Sequence, residues 1–289
     1  MMERLTYTNA NGEAVEFSHR SVYHTNQVTG LSDTRNDVFT IQSMGQDGDT
    51  HVGGRIARRE IMITGAIREI DKDRAFQLRR WLARVTNPHL PATLTYRYGD
   101  IVRVIDCVPE NAPTFSREAV FLDYELILTC PNPFWRDVKE SVEQIAEWIP
   151  LWEFPFEIPS DTGMEFGYRA PSLIATAVNR GDVKSGMRVE FRAVGPLTDP
   201  SLLDINTREF IKLNCEMAAG DVITVTTYYG RKSVRLRHGG VESDAFHLLD
   251  PDSTYLMLDI GANQYRFDAE SNLDNLEVTI YHNNSYLSV

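Results

Sequence analysis

Segment after segment of this chain alternates apolar and polar residues with a period of two. In 120–128 the apolar set is Val120, Leu122, Tyr124, Leu126 and Leu128, and in 276–280 it is Leu276, Val278 and Ile280. In 187–193, Met187, Val189, Phe191 and Ala193 are separated by Arg188, Glu190 and Arg192. Successive side chains of a strand point to opposite faces, so this pattern fits a sheet with one buried face and fits a helix badly. The chain is therefore expected to be mainly β. Its opening agrees: "RLTYT" and "AVEFS" flank Asn11-Gly12, a pair that readily adopts a tight hairpin turn.

Further strands are expected around 22–28, 38–41, 58–67, 91–110 (a hairpin turning at Gly99-Asp100) and 119–135. One helix interrupts them. Ala75, Leu78, Leu82 and Val85 form a stripe at helical spacing, Asp71 and Asp73 suit the positive end of the helix dipole, and Asn87-Pro88 ends the run. Strands around a single helix imply an α+β, split-barrel-like domain over residues 1–136. A Pro- and aromatic-rich connector follows at 137–160. Val138, Val142, Ile145 and Ile149 suggest a short helix there, and Trp148 and Trp152 suggest that it packs against a domain. Residues 161–289 read as many short strands, among them 172–178, 202–206, 222–228, 255–259 and 264–268, as in a β-sandwich or jelly roll. A length of 289 residues suits two cores.

Motifs that would carry chemistry are missing from the text of the sequence. The seven histidines, at 19, 24, 51, 89, 238, 247 and 282, form no HExxH and stand at no zinc spacing from a cysteine. No G-x-S-x-G is present, so an enzyme is not expected, and neither is a cofactor or metal. Arg180-Gly181-Asp182 resembles an adhesion tripeptide, but with Ser185-Gly186 it reads as the turn before the 187–193 strand. Asp250, Asp252 and Asp259 read as solvated turns. Cys107, Cys130 and Cys215 are odd in number and widely spaced, which suits reduced core residues made in a cytosol. The start lacks an apolar signal region and no run reaches a membrane span, so membrane insertion is not expected.

Charge restricts the partners. Through Asp137 there are 16 basic and 18 acidic residues; after it, 13 and 23. An acidic exterior repels DNA, so sequence-specific binding is not expected. The first segment uses 15 Arg and one Lys, a bias suited to subunit contacts. The Gly-rich stretch 43–55 reads as a mobile surface loop, and its Gln46 and Asp47, with Arg58 and Arg59 after it, are the candidate contacts with a neighbouring subunit. Tyr228 and Tyr229 are the candidates for stacking on a sugar, although tyrosine is common in strands.

In order along the chain come "SVYHTNQVTGL", "QDG", "RREIMITGAI", the helix ending at Asn87-Pro88, and "YELILTCPNPFW", followed by "NRGDVKSGMRVEFRAVGPLTDPSL", "IKLNCEMAAGDVITVTT" and "LDIGANQYRF". In this order the chain resembles the distal tail proteins of siphophages that infect Gram-positive bacteria. Cys130-Pro131-Asn132-Pro133-Phe134-Trp135 is the most telling match. Leu258-Asp259-Ile260-Gly261-Ala262-Asn263 departs from the family's Pro-Gly-x-Asn turn. The resemblance implies a structural virion protein, made in the bacterial cytoplasm and placed at the tail tip or baseplate. Its N-terminal domain would form a homo-hexameric ring, with a galectin-like C-terminal domain outward. The ring would join the tail tube protein to the tail-associated fibre or lysin, with receptor-binding protein at its rim and DNA only passing through the lumen. The alternative is a carbohydrate-binding module contacting cell-wall glycans.

Overall fold

The computed structural model describes residues 3–116, 121–144, 148–150, 167–169 and 174–289, of which 148–150 and 167–169 are described by backbone alone. The chain divides into two compact units: Met1–Val138 with Ser285–Val289, and Lys139–Asn284.

The first unit is built from strands β1 (Arg4–Asn9), β2 (Ala14–Ser18), β3 (Tyr23–Thr29), β4 (Asn36–Ile41), β5 (Thr50–Ile56), β6 (Arg59–Ile67), β7 (Ala92–Tyr98), β8 (Ile101–Pro109), β9 (Thr114–Ser116), β10 (Leu122–Cys130) and β11 (Trp135–Asp137), with helix α1 (Lys72–Val85) between β6 and β7. Strands β8-β7-β1-β2-β3-β6-β10 are hydrogen-bonded in that order, and β10 pairs back onto β8, closing a seven-stranded barrel. The alternating residues fill it. Leu5 and Tyr7, Val15 and Phe17, Ile61 and Ile63, and Leu126 and Leu128 are all buried, as is Trp135. A large apolar side chain contributes about 1.5–3 kcal/mol when fully buried, so this inward set dominates the barrel's stability.

Helix α1 starts where the sequence reading puts it. The Asp71 carboxylate accepts the Asp73 N–H at 3.0 Å, and Leu82 and Val85 form its buried stripe. Two barrel residues hold it: Tyr23 Oη donates to Leu78 O at 3.0 Å, and Asn9 Nδ2 donates to Val85 O at 3.1 Å, satisfying an end carbonyl that has no partner within the helix. Gly65 is required by packing. A Cβ there would lie 1.9 Å from His24 O and 2.6 Å from Tyr124 Oη, whose hydroxyl donates to that same carbonyl.

The second unit is a β-sandwich. One sheet orders the strands 141–144, 276–282, 187–193, 222–226, 233–238 and 241–244; the other orders 174–179, 261–268, 201–204 and 210–212. Val189, Phe191, Val278 and Ile280 from the first sheet share a core with Leu202, Ile211, Tyr265 and Phe267 from the second.

Four expectations need correction. Thr50–Ile56 is a strand, so only the first part of 43–55 is a loop. Residues 141–144 are a strand where a helix was expected, because Val138 and Val142 four apart fit either period. Residues 255–259 form no strand; Leu258 makes only a single bridge to Ser185. Ser285–Tyr286, expected with the sandwich, pairs with β11 in the first unit. Val120, Ile145 and Trp152 lie outside the described residues, and the side chains of Trp148 and Ile149 are likewise not described.

Candidate assembly surface

Strands β4 and β5 pair only with each other. Their turn is held locally: Gln46 Nε2 donates to Thr50 Oγ1 at 3.0 Å, Thr40 Oγ1 donates to Asp49 at 3.0 Å, and a bulge sets Gly53 at φ 155°. Asp37 takes Arg35 and Arg55, each at 3.3 Å, at the hairpin's foot. Yet Val38, Phe39, Ile41, Met44 and Val52 are exposed, Met44 fully. A lone two-stranded ribbon is marginal in water, and clustered exposed apolar side chains on open strand edges invite a partner.

The four candidate contact residues divide sharply. Asp47 is exposed at the hairpin tip, while Gln46 is half-buried and occupied with its own turn. Arg58 is exposed beside a crevice of about 800 Å³ lined also by Arg35, Asp37, Arg55 and Glu60. Arg59 is only 2% exposed. Its guanidinium donates to Gly30 O (2.7 Å), Leu31 O (3.0 Å), Pro133 O (2.7 Å) and Leu287 O (2.6 Å), all within its own chain. Arg59 is thus an internal staple at the foot of the hairpin and not a subunit contact: burying a cation is tolerable only when it is hydrogen-bonded, and here each of the three guanidinium nitrogens donates. Nothing in the sequence distinguishes it from Arg58; the alternation of β6 comes closest, since Arg59 shares the inward parity of Ile61 and Ile63.

The tyrosines of the second unit also separate. Tyr228 is half-buried, with its hydroxyl enclosed, and lies so close to Gly186 that a Cβ there would stand 2.7 Å from Tyr228 Cα. Arg188 covers the Tyr281 ring at 3.8 Å, and Tyr265 is in the core. Tyr229 is 79% exposed, with Lys232 Nζ 5.8 Å from its ring and 4.5 Å from that of Tyr255. Tyr228 and Tyr229 do not share one open platform.

Asp250 is engaged by Asn214 Nδ2 and the Asp252 N–H, and Asp259 by Lys184 at 3.0 Å, as solvated turns should be. The Arg180-Gly181-Asp182 turn is organised from within by buried Asn179, whose side chain accepts the Gly181 N–H and donates to Val183 O. Among the described residues no three His, Cys, Asp or Glu side chains converge to hold a metal, and no helix is long and apolar enough to cross a membrane.

Two family models match the chain: the phage tail protein RIFT-related domain over residues 17–129, and the siphovirus-type tail component, C-terminal domain, over 180–286. The chain belongs to the siphophage distal tail family. No curated protein matches it significantly in sequence. Among solved structures, the Dit protein of phage SPP1, described as a paradigm of the hub adsorption apparatus of phages infecting Gram-positive bacteria, is 14% identical with a TM-score of 0.66, covering 97% of this chain and 98% of that one. A chain of the phage P2 baseplate, in its activated conformation with Ca, is 12% identical with a TM-score of 0.57 over the full length of both. These two likenesses show the fold. As a distal tail protein the chain is a structural part of the virion, located at the tail tip. The distal tail hairpin β4–β5 is thus a feature of an assembly component and not of an isolated globule.

Proposed function

We propose that six copies form a ring that joins the tail tube to the tail-tip fibre or lysin, with receptor-binding protein at the rim and DNA passing through the lumen. The observation that carries this is the β4–β5 ribbon, which presents Val38, Phe39, Ile41 and Val52 without covering them. Pairing with the next subunit, repeated around a closed ring, covers every ribbon and leaves no open end. Catalysis has no part in this role. Native mass spectrometry of the purified full chain tests it: a hexamer is expected, and a monomer under all ionic conditions overturns it.

A second reading, a glycan contact by the sandwich, is favoured by one cluster, the exposed Tyr229 with Lys232 and Tyr255. Glycan-array binding by the full chain that Tyr229→Ala abolishes would support it; no binding to cell-wall glycans would remove it.

A further inference from the structure

The barrel closes where β8 meets β10, and the closing ladder is short. The Glu110 N–H donates to Ile127 O at 2.9 Å; next, Pro109 faces Leu128 and Val108 faces Thr129. Hydrogen-bonded and non-hydrogen-bonded pairs alternate along an antiparallel ladder. The 110/127 rung is bonded, so 108/129 is bonded too; the ladder ends there, and Cys107 and Cys130 each follow by one residue on their own strands, at what would be a non-bonded rung. There facing Cα atoms stand about 4.5 Å apart, inside the range of about 4.4–6.8 Å that a disulfide spans. Both side chains point inward, 1% and 0% exposed, and both thiols are free. Their proximity also registers electrostatically: burial is the main cause of the raised Cys107 pKa, and Cys130 adds to it.

We propose that Cys107 and Cys130 form a disulfide that locks the barrel seam once the virion protein leaves the reducing cytoplasm. Thiol–disulfide exchange with a small dialkyl disulfide supplies the oxidant. The Cys130 thiolate attacks one sulfur of that molecule, forming a mixed disulfide and expelling one thiolate. The Cys107 thiolate then attacks the Cys130 sulfur, forming the protein bond and expelling the second. Both cysteine protons end on the released thiols, so two protein thiols are oxidised and one small disulfide is reduced to two thiols. Cys130 is the first nucleophile because Arg59, its register partner on β6, lies beside it and its charge favours the thiolate. Burial opposes ionisation of both groups, so exchange waits for local opening of the seam and is slow. The bond would restrict segment 107–130 in the unfolded chain and raise stability.

The inference rests on the barrel and the virion location, not on the ring. Full-length protein prepared under reducing conditions is incubated without denaturant in oxidised glutathione, then unfolded, alkylated and weighed. The expected chain is about 2 Da lighter before alkylation, takes alkyl only at Cys215, yields a peptide linking Cys107 to Cys130, and melts several degrees above the reduced sample. Cys215→Ser should form the same link and take no alkyl. Alkylation of all three cysteines after prolonged exposure, glutathione held on one thiol without a link, a link formed only in denaturant, or a linked chain that melts no higher would each overturn the proposal.

Discussion

Arg58 and Arg59 are neighbours of the same type, yet one faces solvent and the other donates to five backbone carbonyls. The donors of Arg59 cannot be replaced by three on a lysine, whose ammonium lacks the planar fork. Arg59→Ala and Arg59→Lys should each lower unfolding free energy by about 3 kcal/mol or more, because buried carbonyls lose charged partners. Arg58→Ala should stay within about 0.5 kcal/mol. Urea denaturation followed by circular dichroism distinguishes the two. Gly65→Ala should cost about 1–3 kcal/mol, since the added methyl meets His24 O and the Tyr124 hydroxyl; a melt as high as that of the parent chain would show that strand β6 yields there. The sequence could not reveal either role. Alternation assigns Arg59 its inward parity, but a cation at an inward position looks like an error until the carbonyls of residues 30, 31, 33, 133 and 287, distant in sequence, gather around it.

Strands carried by strict alternation, such as β6, β10 and 187–193, are legible in the sequence, as is α1 with its Asp71 cap. Strand β5 is not: "THVGGRI" contains two glycines and a bulge, so no period survives, and the segment reads as a loop. Its partner β4 supplies what its own residues lack. The turn at 258–263, which lacks the family's proline, is held from within: Gly261 takes φ 95°, and Asn263 both donates to Asp259 O and accepts the Asp259 N–H. The candidate surface was half legible for the same reason as β5, because the ribbon's apolar residues gain meaning only when both strands are seen to be unpaired on their outer edges. Replacing Phe39, Ile41 and Val52 together by Asp should leave circular dichroism and melting of the single chain unchanged, because these groups are already wet. The same triple change should abolish the hexamer in native mass spectrometry. Deleting 45–54 should do likewise, and an unaltered assembly mass after either change would remove the hairpin from the ring.

The formal charge of the whole molecule is −12, carried mostly by the residues after Asp137. A protein that lets DNA pass should not hold it, so no gel retardation of duplex DNA is expected even at low salt, where phosphate attraction is strongest. Retardation there would contradict the lumen reading. Closure of the barrel, like the assignment of Ser285–Val289 to the first unit, was beyond the reach of local pattern, because the one depends on pairing β8 with β10 and the other on pairing β11 with Ser285–Tyr286. That last pairing bears on biosynthesis. Arg59 waits for the Leu287 carbonyl, and β11 for Ser285 and Tyr286, all translated only after the last residue of the sandwich. A product terminated before Ser285 therefore lacks the strand that pairs with β11 and one acceptor of Arg59, however well its early strands collapse.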